Sequence, residues 1–143
     1  MLKLWGAILI AVSFIALGDK AAKFKRHRLD FLEEMLAVIY EFRTAIELFS
    51  LAVPRALEKC GIDEIYCRAK RENAVNSEDC KDFDFFSKGL KAETLPGQLA
   101  NIEIYEKKLK AEEKEEREKY KKEAKLIRGG FMLLGFLVVI MLL

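Results

Sequence analysis

The chain has 143 residues, 52% of them hydrophobic, and a formal net charge of +2 from 25 Lys+Arg against 23 Asp+Glu. That near balance, with lysines alternating with glutamates rather than with aromatics, excludes the basic footprint of a DNA- or RNA-binding module. A single histidine, three cysteines without zinc-like spacing, and the lack of any phosphate loop, nucleophile elbow or HExxH motif leave no metal, cofactor or catalytic constellation to argue from, so no enzymatic role is assigned.

Two uncharged apolar runs, Leu4 to Gly18 and Gly129 to Leu143, bracket the polar sequence. Each falls short of the roughly 20 residues that a straight helix needs to cross a bilayer. Lys3 and Arg128 can snorkel, and Leu126 and Ile127 can lengthen the second run. Both runs are read as transmembrane helices, residues 1–18 and 129–143, enclosing a domain at 19–128. Small residues at Ala7 and Ala11 on the first, and at Gly130 and Gly135 on the second, mark the faces where the spans would pack.

Lys20, Lys23, Lys25, Arg26, His27 and Arg28 follow the first run, and Lys119, Lys121, Lys122, Lys125 and Arg128 precede the second. The positive-inside rule puts both flanks in the cytoplasm, giving a multi-pass cell-membrane protein with a cytoplasmic centre. These basic flanks suit anionic headgroups. The competing reading of the first run is a cleaved signal peptide with a small-x-small site at Ala16 to Gly18; export would place both basic clusters on the wrong face. In the cytoplasm Cys60, Cys67 and Cys80 are expected as free thiols.

From Lys20 to about Ala52, Phe24, Phe31, Leu32, Met35, Leu36, Ile39, Phe42, Ile46 and Phe49 recur at three- and four-residue steps without an intervening Gly or Pro. This predicts one long amphipathic helix continuing out of the first span. Pro54 fits the first turn of a second helix ending at Gly61. Ile62 to Asp82 reads as one short helix and a loop, and Phe83, Phe85, Phe86 and Leu90 as a short helix packed on the long one. Thr94 is the expected cap of a last helix, with Pro96 in its first turn and Leu99, Ile102, Tyr105 and Leu109 on one face. Beyond Glu103 that helix is almost wholly charged, with Glu103–Lys107, Glu106–Lys110, Glu115–Lys119 and Glu118–Lys122 at the favoured spacing. It reads either as a solvated stalk or as a docking surface. Phe42, Ile46, Leu57, Phe86 and Ile102 are expected on one buried surface.

These residues also carry a resemblance. The opening Met1 to Leu4 with Gly6 and Ala7, the stretch Thr44, Ala45, Ile46 followed by Val53 to Leu57, the run Gly97 to Ile102, and the closing Gly130, Leu134, Gly135 and Leu137 to Ile140 resemble stage III sporulation protein AB of endospore-forming bacteria. Between Leu57 and Phe83 the chain is shorter than that pattern, and Arg43 and Ala45 stand where acidic residues commonly flank the threonine. The resemblance implies an all-α, membrane-anchored antiparallel helical bundle similar to the cytoplasmic domains of type II secretion F proteins. It further implies a structural subunit of a sporulation channel complex between mother cell and forespore, in the mother-cell membrane. On that reading the chain couples a separate secretion-type ATPase to other membrane subunits, and self-association is left open. Thr44, Ile46, Pro54, Leu57, Gln98 and Ile102 are the matching positions, for packing or contact. The alternative is a membrane-tethered adaptor that recruits a soluble partner through its charged helix.

Overall fold

The computed structural model describes residues 1–91 and 94–142, and Leu143 at the end of the second apolar run lies outside them. The described residues form six helices and no strand: α1 (Leu2–Phe24), α2 (His27–Phe49), α3 (Val53–Cys60), α4 (Ile62–Arg71), α5 (Ser77–Gly89) and α6 (Leu95–Leu142). They divide into two compact units. A hairpin unit comprises Met1–His27 and Arg117–Leu143, and a bundle unit comprises Arg28–Glu116.

In the hairpin unit, α1 and the second half of α6 run antiparallel, and their register can be read from reciprocal notches. A methyl group on Gly135 would lie 3.2 Å from Phe14 Cβ, and one on Gly18 would lie 3.1 Å from Phe131 Cβ. Each helix thus supplies a phenylalanine and, four residues later, the glycine that receives the other helix's ring. The same register continues through an Asp19–Arg128 ion pair at 3.0 Å and the Arg26 guanidinium 5.7 Å from the Tyr120 ring centre. Ala22 and Ala124 are buried along this seam. α1 stops at Phe24 instead of continuing into the next helix as the periodicity predicts. The Lys25 and Arg26 N–H groups donate to the carbonyls of Ala22 and Lys23 at 3.2 and 3.0 Å, a tightened final turn. Like charges on Lys23 and Arg26, three residues apart, disfavour an uninterrupted helix there, and Phe24 packs edge-on against the His27 ring.

The bundle unit is built on α2. Its stripe Leu32, Met35, Ile39, Phe42 and Ile46 is fully or almost fully buried. Phe86 of α5 lies at the centre, edge-on to Phe42 at 6.3 Å and stacked on Tyr105 of α6 at 4.4 Å. Tyr66 of α4 stacks on Phe83 at 3.9 Å. Burying Phe42 and Phe86 removes two large rings from water, each worth about 1.5–3 kcal/mol. Gly89 allows α6 to approach α5: a methyl group there would sit 2.4 Å from the Asn101 amide, which donates to the Phe86 carbonyl at 2.9 Å.

Local signals set the short helices. Pro54 lies in the first turn of α3, and Gly61 (φ +66°) ends it in the left-handed region that glycine reaches without strain. α4 ends in a Schellman motif, with Asn73 at φ +55°, its N–H donating to the Lys70 carbonyl and the Ala74 N–H to the Ala69 carbonyl. Asn76 and Asp79 then form a reciprocal capping box at the start of α5, with bonds of 2.8 and 3.0 Å. α6 opens with the Gln98 N–H donating to the Thr94 carbonyl at 3.1 Å. Along its charged stretch, Glu103–Lys107 and Glu106–Lys110 pair as the spacing predicts, while Glu118 and Lys122 form no ion pair among the described residues.

Candidate interaction sites

The bundle brings three of the sequence-matched positions together. Pro54, Leu57 and Gln98 line one open groove of about 720 Å³, with Val53, Phe83, Leu90 and Leu95. The Gln98 amide reaches the Leu90 carbonyl at 3.4 Å, near the upper limit for a hydrogen bond. Ile46 and Ile102 belong instead to the buried core, and Leu57 packs partly buried against it. Phe42, Ile46, Phe86 and Ile102 thus share one buried cluster, as their spacing predicts. Thr44 lies elsewhere, with Tyr40, Glu41, Phe49, Lys59 and Cys60 around a depression of about 290 Å³. Its hydroxyl donates back to the Tyr40 carbonyl at 2.9 Å, so it is occupied within its own helix. Burial and the nearby Glu41 carboxylate hold the Cys60 thiol above its ordinary range, which keeps it protonated.

An ionic cluster that no local pattern announces joins α2, α5 and α6. Arg28 meets Asp79 at 3.3 Å, Glu116 at 3.5 Å and Glu112 at 3.7 Å. Glu112 is pushed up to about 7, chiefly by burial and then by a hydrogen bond and repulsion from Asp79, against the lowering influence of Arg28. Tyr105 beside it is also raised by burial, with Asp79 adding to the shift. Arg43 bridges Glu47 at 3.2 Å and the buried Glu106 at 3.3 Å, a second tie between α2 and α6. These partly exposed clusters tie α2 to α5 and α6, and Glu112 also borders an open depression of about 470 Å³ with Glu78, Lys81, Asp82 and Lys108. Among the described residues no three His, Cys, Asp or Glu side chains gather as a metal ion requires.

The hairpin unit has the opposite surface. α1 and α6 are each long and apolar enough to cross a membrane, and few residues of either apolar window are buried. The continuous helices therefore exceed the 15-residue runs visible in sequence. Ala7, Ala11 and Gly135 contribute to an apolar groove of about 350 Å³ between the two helices. Gly130 is different: the space its side chain would occupy is open within 4 Å. The packing therefore uses Gly18 and Gly135 with Phe14 and Phe131, and Gly18, Phe14 and Phe131 are positions that the small-residue reading missed. Their four-residue Phe-to-Gly spacing in both runs was the available signal.

The family model for stage III sporulation protein AB matches residues 62–143, from the start of α4 to the end of the chain. This chain belongs to the stage III sporulation protein AB family. Its role is therefore sporulation-related, and the two apolar helices point to association with a membrane. The matched stretch contains Gln98, Ile102, Gly130 and Gly135, whereas Ala7, Ala11, Thr44, Ile46, Pro54 and Leu57 precede it. No curated protein and no solved structure matches the chain.

Proposed function

We propose that this family member is a structural subunit of a sporulation membrane complex, with α1 and the end of α6 as a transmembrane hairpin and the bundle in the cytoplasm. The corresponding division is 1–18 and 129–143 in the bilayer and 19–128 outside it. The observation that carries this reading is charge placement on an antiparallel pair. Residues 19–27 and 117–128 together hold ten Lys+Arg against three Asp+Glu, a formal +7, whereas residues 28–116 hold fourteen against twenty, a formal −6. Because the pair is antiparallel, both basic stretches leave the spans at the same end, and the positive-inside rule assigns that end to the cytoplasm.

On this reading the bundle acts as a platform domain, similar in role to the cytoplasmic domains of type II secretion F proteins, that couples a separate ATPase to other membrane subunits between mother cell and forespore. The coupling role is supported by the groove at Pro54, Leu57 and Gln98, an open apolar surface available to a partner. The topological test uses Cys67, which is exposed, with half-buried Cys60 and Cys80 as slower reporters. A membrane-impermeant maleimide applied to intact cells is expected to leave all three unmodified and to label Cys67 after permeabilisation. Labelling of Cys67 in intact cells overturns the cytoplasmic placement. The coupling role is tested by recovery of an ATPase with the chain from sporulating membranes; its loss on Leu57→Asp with the bundle still folded implicates the groove.

A further inference from the structure

We infer that the base of the hairpin is a binding collar for anionic phospholipid headgroups, an inference that rests on the transmembrane placement proposed above. Gly18 and Phe131 face each other, so at 1.5 Å per residue Phe24 lies about 9 Å beyond that notch on α1 and Leu126 about 7.5 Å beyond it on α6. Both side chains are exposed, 74% and 76%, although they are apolar and sit outside the continuous apolar runs. They are surrounded by cations at the same level. Lys20, Lys23 and Lys25 flank Phe24, and Lys122 and Lys125 flank Leu126; all five are exposed and form no ion pair among the described residues. Arg128 is in part neutralised by Asp19.

An exposed aromatic and an exposed leucine among unpaired lysines, at one height on two antiparallel helices, combine the two ingredients of an interfacial anchor. The apolar tips enter the boundary between headgroups and acyl chains, and the ammonium groups meet phosphate. By helix rise the five lysines lie roughly 3 to 14 Å beyond the notch, a spread of about 10 Å that matches the Debye length at 0.1 M salt, so they act on one headgroup layer together. Nucleic acid fits less well. The two stretches carry no exposed aromatic row on which bases could stack, and the exposed apolar side chains Phe24 and Leu126 border the apolar spans on the side of the cations.

The test uses the full chain reconstituted in bilayers containing spin-labelled phosphatidylglycerol or spin-labelled phosphatidylcholine, with the motionally restricted fraction of each label read by electron spin resonance. A severalfold preference for phosphatidylglycerol at low salt, falling as salt rises, is expected. The combined variant Lys20→Gln, Lys23→Gln, Lys25→Gln, Lys122→Gln and Lys125→Gln should reduce that preference to near unity while leaving helicity unchanged. Equal restriction of the two lipids by the wild-type chain overturns the collar, as does a preference that the five substitutions leave intact. A single-stranded oligonucleotide that abolishes the lipid preference at stoichiometric concentration also overturns it, in favour of a nucleic-acid surface. Extraction of the chain by alkaline carbonate sinks the membrane placement itself, whereas a chain retained in the bilayer without lipid preference sinks the collar alone.

Discussion

The bundle and the hairpin are made from the same apolar residue types and use them in opposite ways. In the bundle, Leu32, Met35, Ile39, Phe42 and Phe86 are withdrawn completely from solvent, while a few large side chains such as Leu48, Phe49 and Phe85 stay outside. In the hairpin, Trp5, Leu133 and Ile140 are 68%, 70% and 72% exposed, and the buried positions are small: Ala7, Gly18, Ala22, Ala124 and Gly135. In water, transferring a large ring into a core stabilises the fold. In lipid that transfer gains little, so helices associate by close approach and shape, for which a notch serves better than a bulky side chain. Truncation should therefore damage the bundle, and enlargement should damage the hairpin.

The largest effect is expected from truncation in the bundle. Phe42 is fully buried and packs edge-on against Phe86. Phe42→Ala should cost about 3–5 kcal/mol by loss of transfer energy and creation of a cavity, a large share of the stability of a small domain. Thermal unfolding of the full chain in detergent, followed by circular dichroism, checks this. A midpoint equal to that of the parent would place Phe42 on an exposed face and remove the first half of the comparison.

Enlargement in the hairpin comes next. At Gly135 even a methyl group would press on Phe14, and at Gly18 on Phe131, while at Gly130 it would meet nothing within 4 Å. Gly135→Leu should therefore weaken the pair by about 1–3 kcal/mol, the usual cost of overpacking, and Gly130→Leu should leave it unchanged. Disulfide cross-linking between cysteines introduced at Asp19 and Arg128 reads the difference. Equal yields in the two variants would show that the notches do not hold the spans.

A smaller, pH-dependent effect is expected from the ionic cluster. Glu112 faces Asp79, Asp82 and Arg28, and its folded value of about 7 lies above the ordinary 4.5 of a glutamate. A raised folded value means that the native state holds the proton more tightly than the unfolded chain. The resulting stabilisation is present in full below about pH 4.5 and is lost as pH rises through about 7. Glu112→Gln should flatten this decline and raise stability at pH 8, by about 1 kcal/mol or less once solvent screening is allowed for. Arg28 keeps Asp79 and Glu116 as partners in that variant. Denaturant unfolding at pH 5 and pH 8 measures the slope, and a parent whose stability rises across that interval contradicts the raised value of Glu112.

Much of this was readable from local pattern. The three- and four-residue steps from Phe31 to Ile46 predicted α2, and Pro54 and Gly61 marked the limits of α3, because caps and turns depend on residues close in sequence; the start of α5 at Ser77 falls instead inside the stretch Ile62 to Asp82 that read as one short helix and a loop. The break at Lys25 and Arg26 was not readable, since neither Gly nor Pro marks it and the hydrophobic steps run through Phe24 unbroken. The Arg28 cluster was hidden for another reason: its carboxylates lie 51 to 88 residues away, and nothing near Arg28 in sequence names them. Of the matched positions, Ile46 and Ile102 are core while Pro54, Leu57 and Gln98 share a groove, a distinction that depends on which helices meet.

The smallest expected effect concerns the charged part of α6 and tests whether its surface is read by a partner. Glu118 and Lys122 have the favoured spacing and order but make no ion pair, so exchanging them as Glu118→Lys with Lys122→Glu removes no formed contact. Reversing the Glu-before-Lys order costs at most a few tenths of a kcal/mol in helix stability, within the roughly 0.2–0.5 kcal/mol that such a pair is worth. Helicity and melting of the full chain should not change measurably. Net charge is also preserved, so attraction to an anionic surface is altered only by moving one cation about 6 Å along the helix. A bound protein partner would respond differently, because like charges brought together at an interface cost several kcal/mol. Recovery of the complex from sporulating membranes at the parental level marks this stretch as a solvated connector. Loss of recovery with unchanged helicity would instead make it a docking surface, and would carry the contrast between the two units into how each meets its partners.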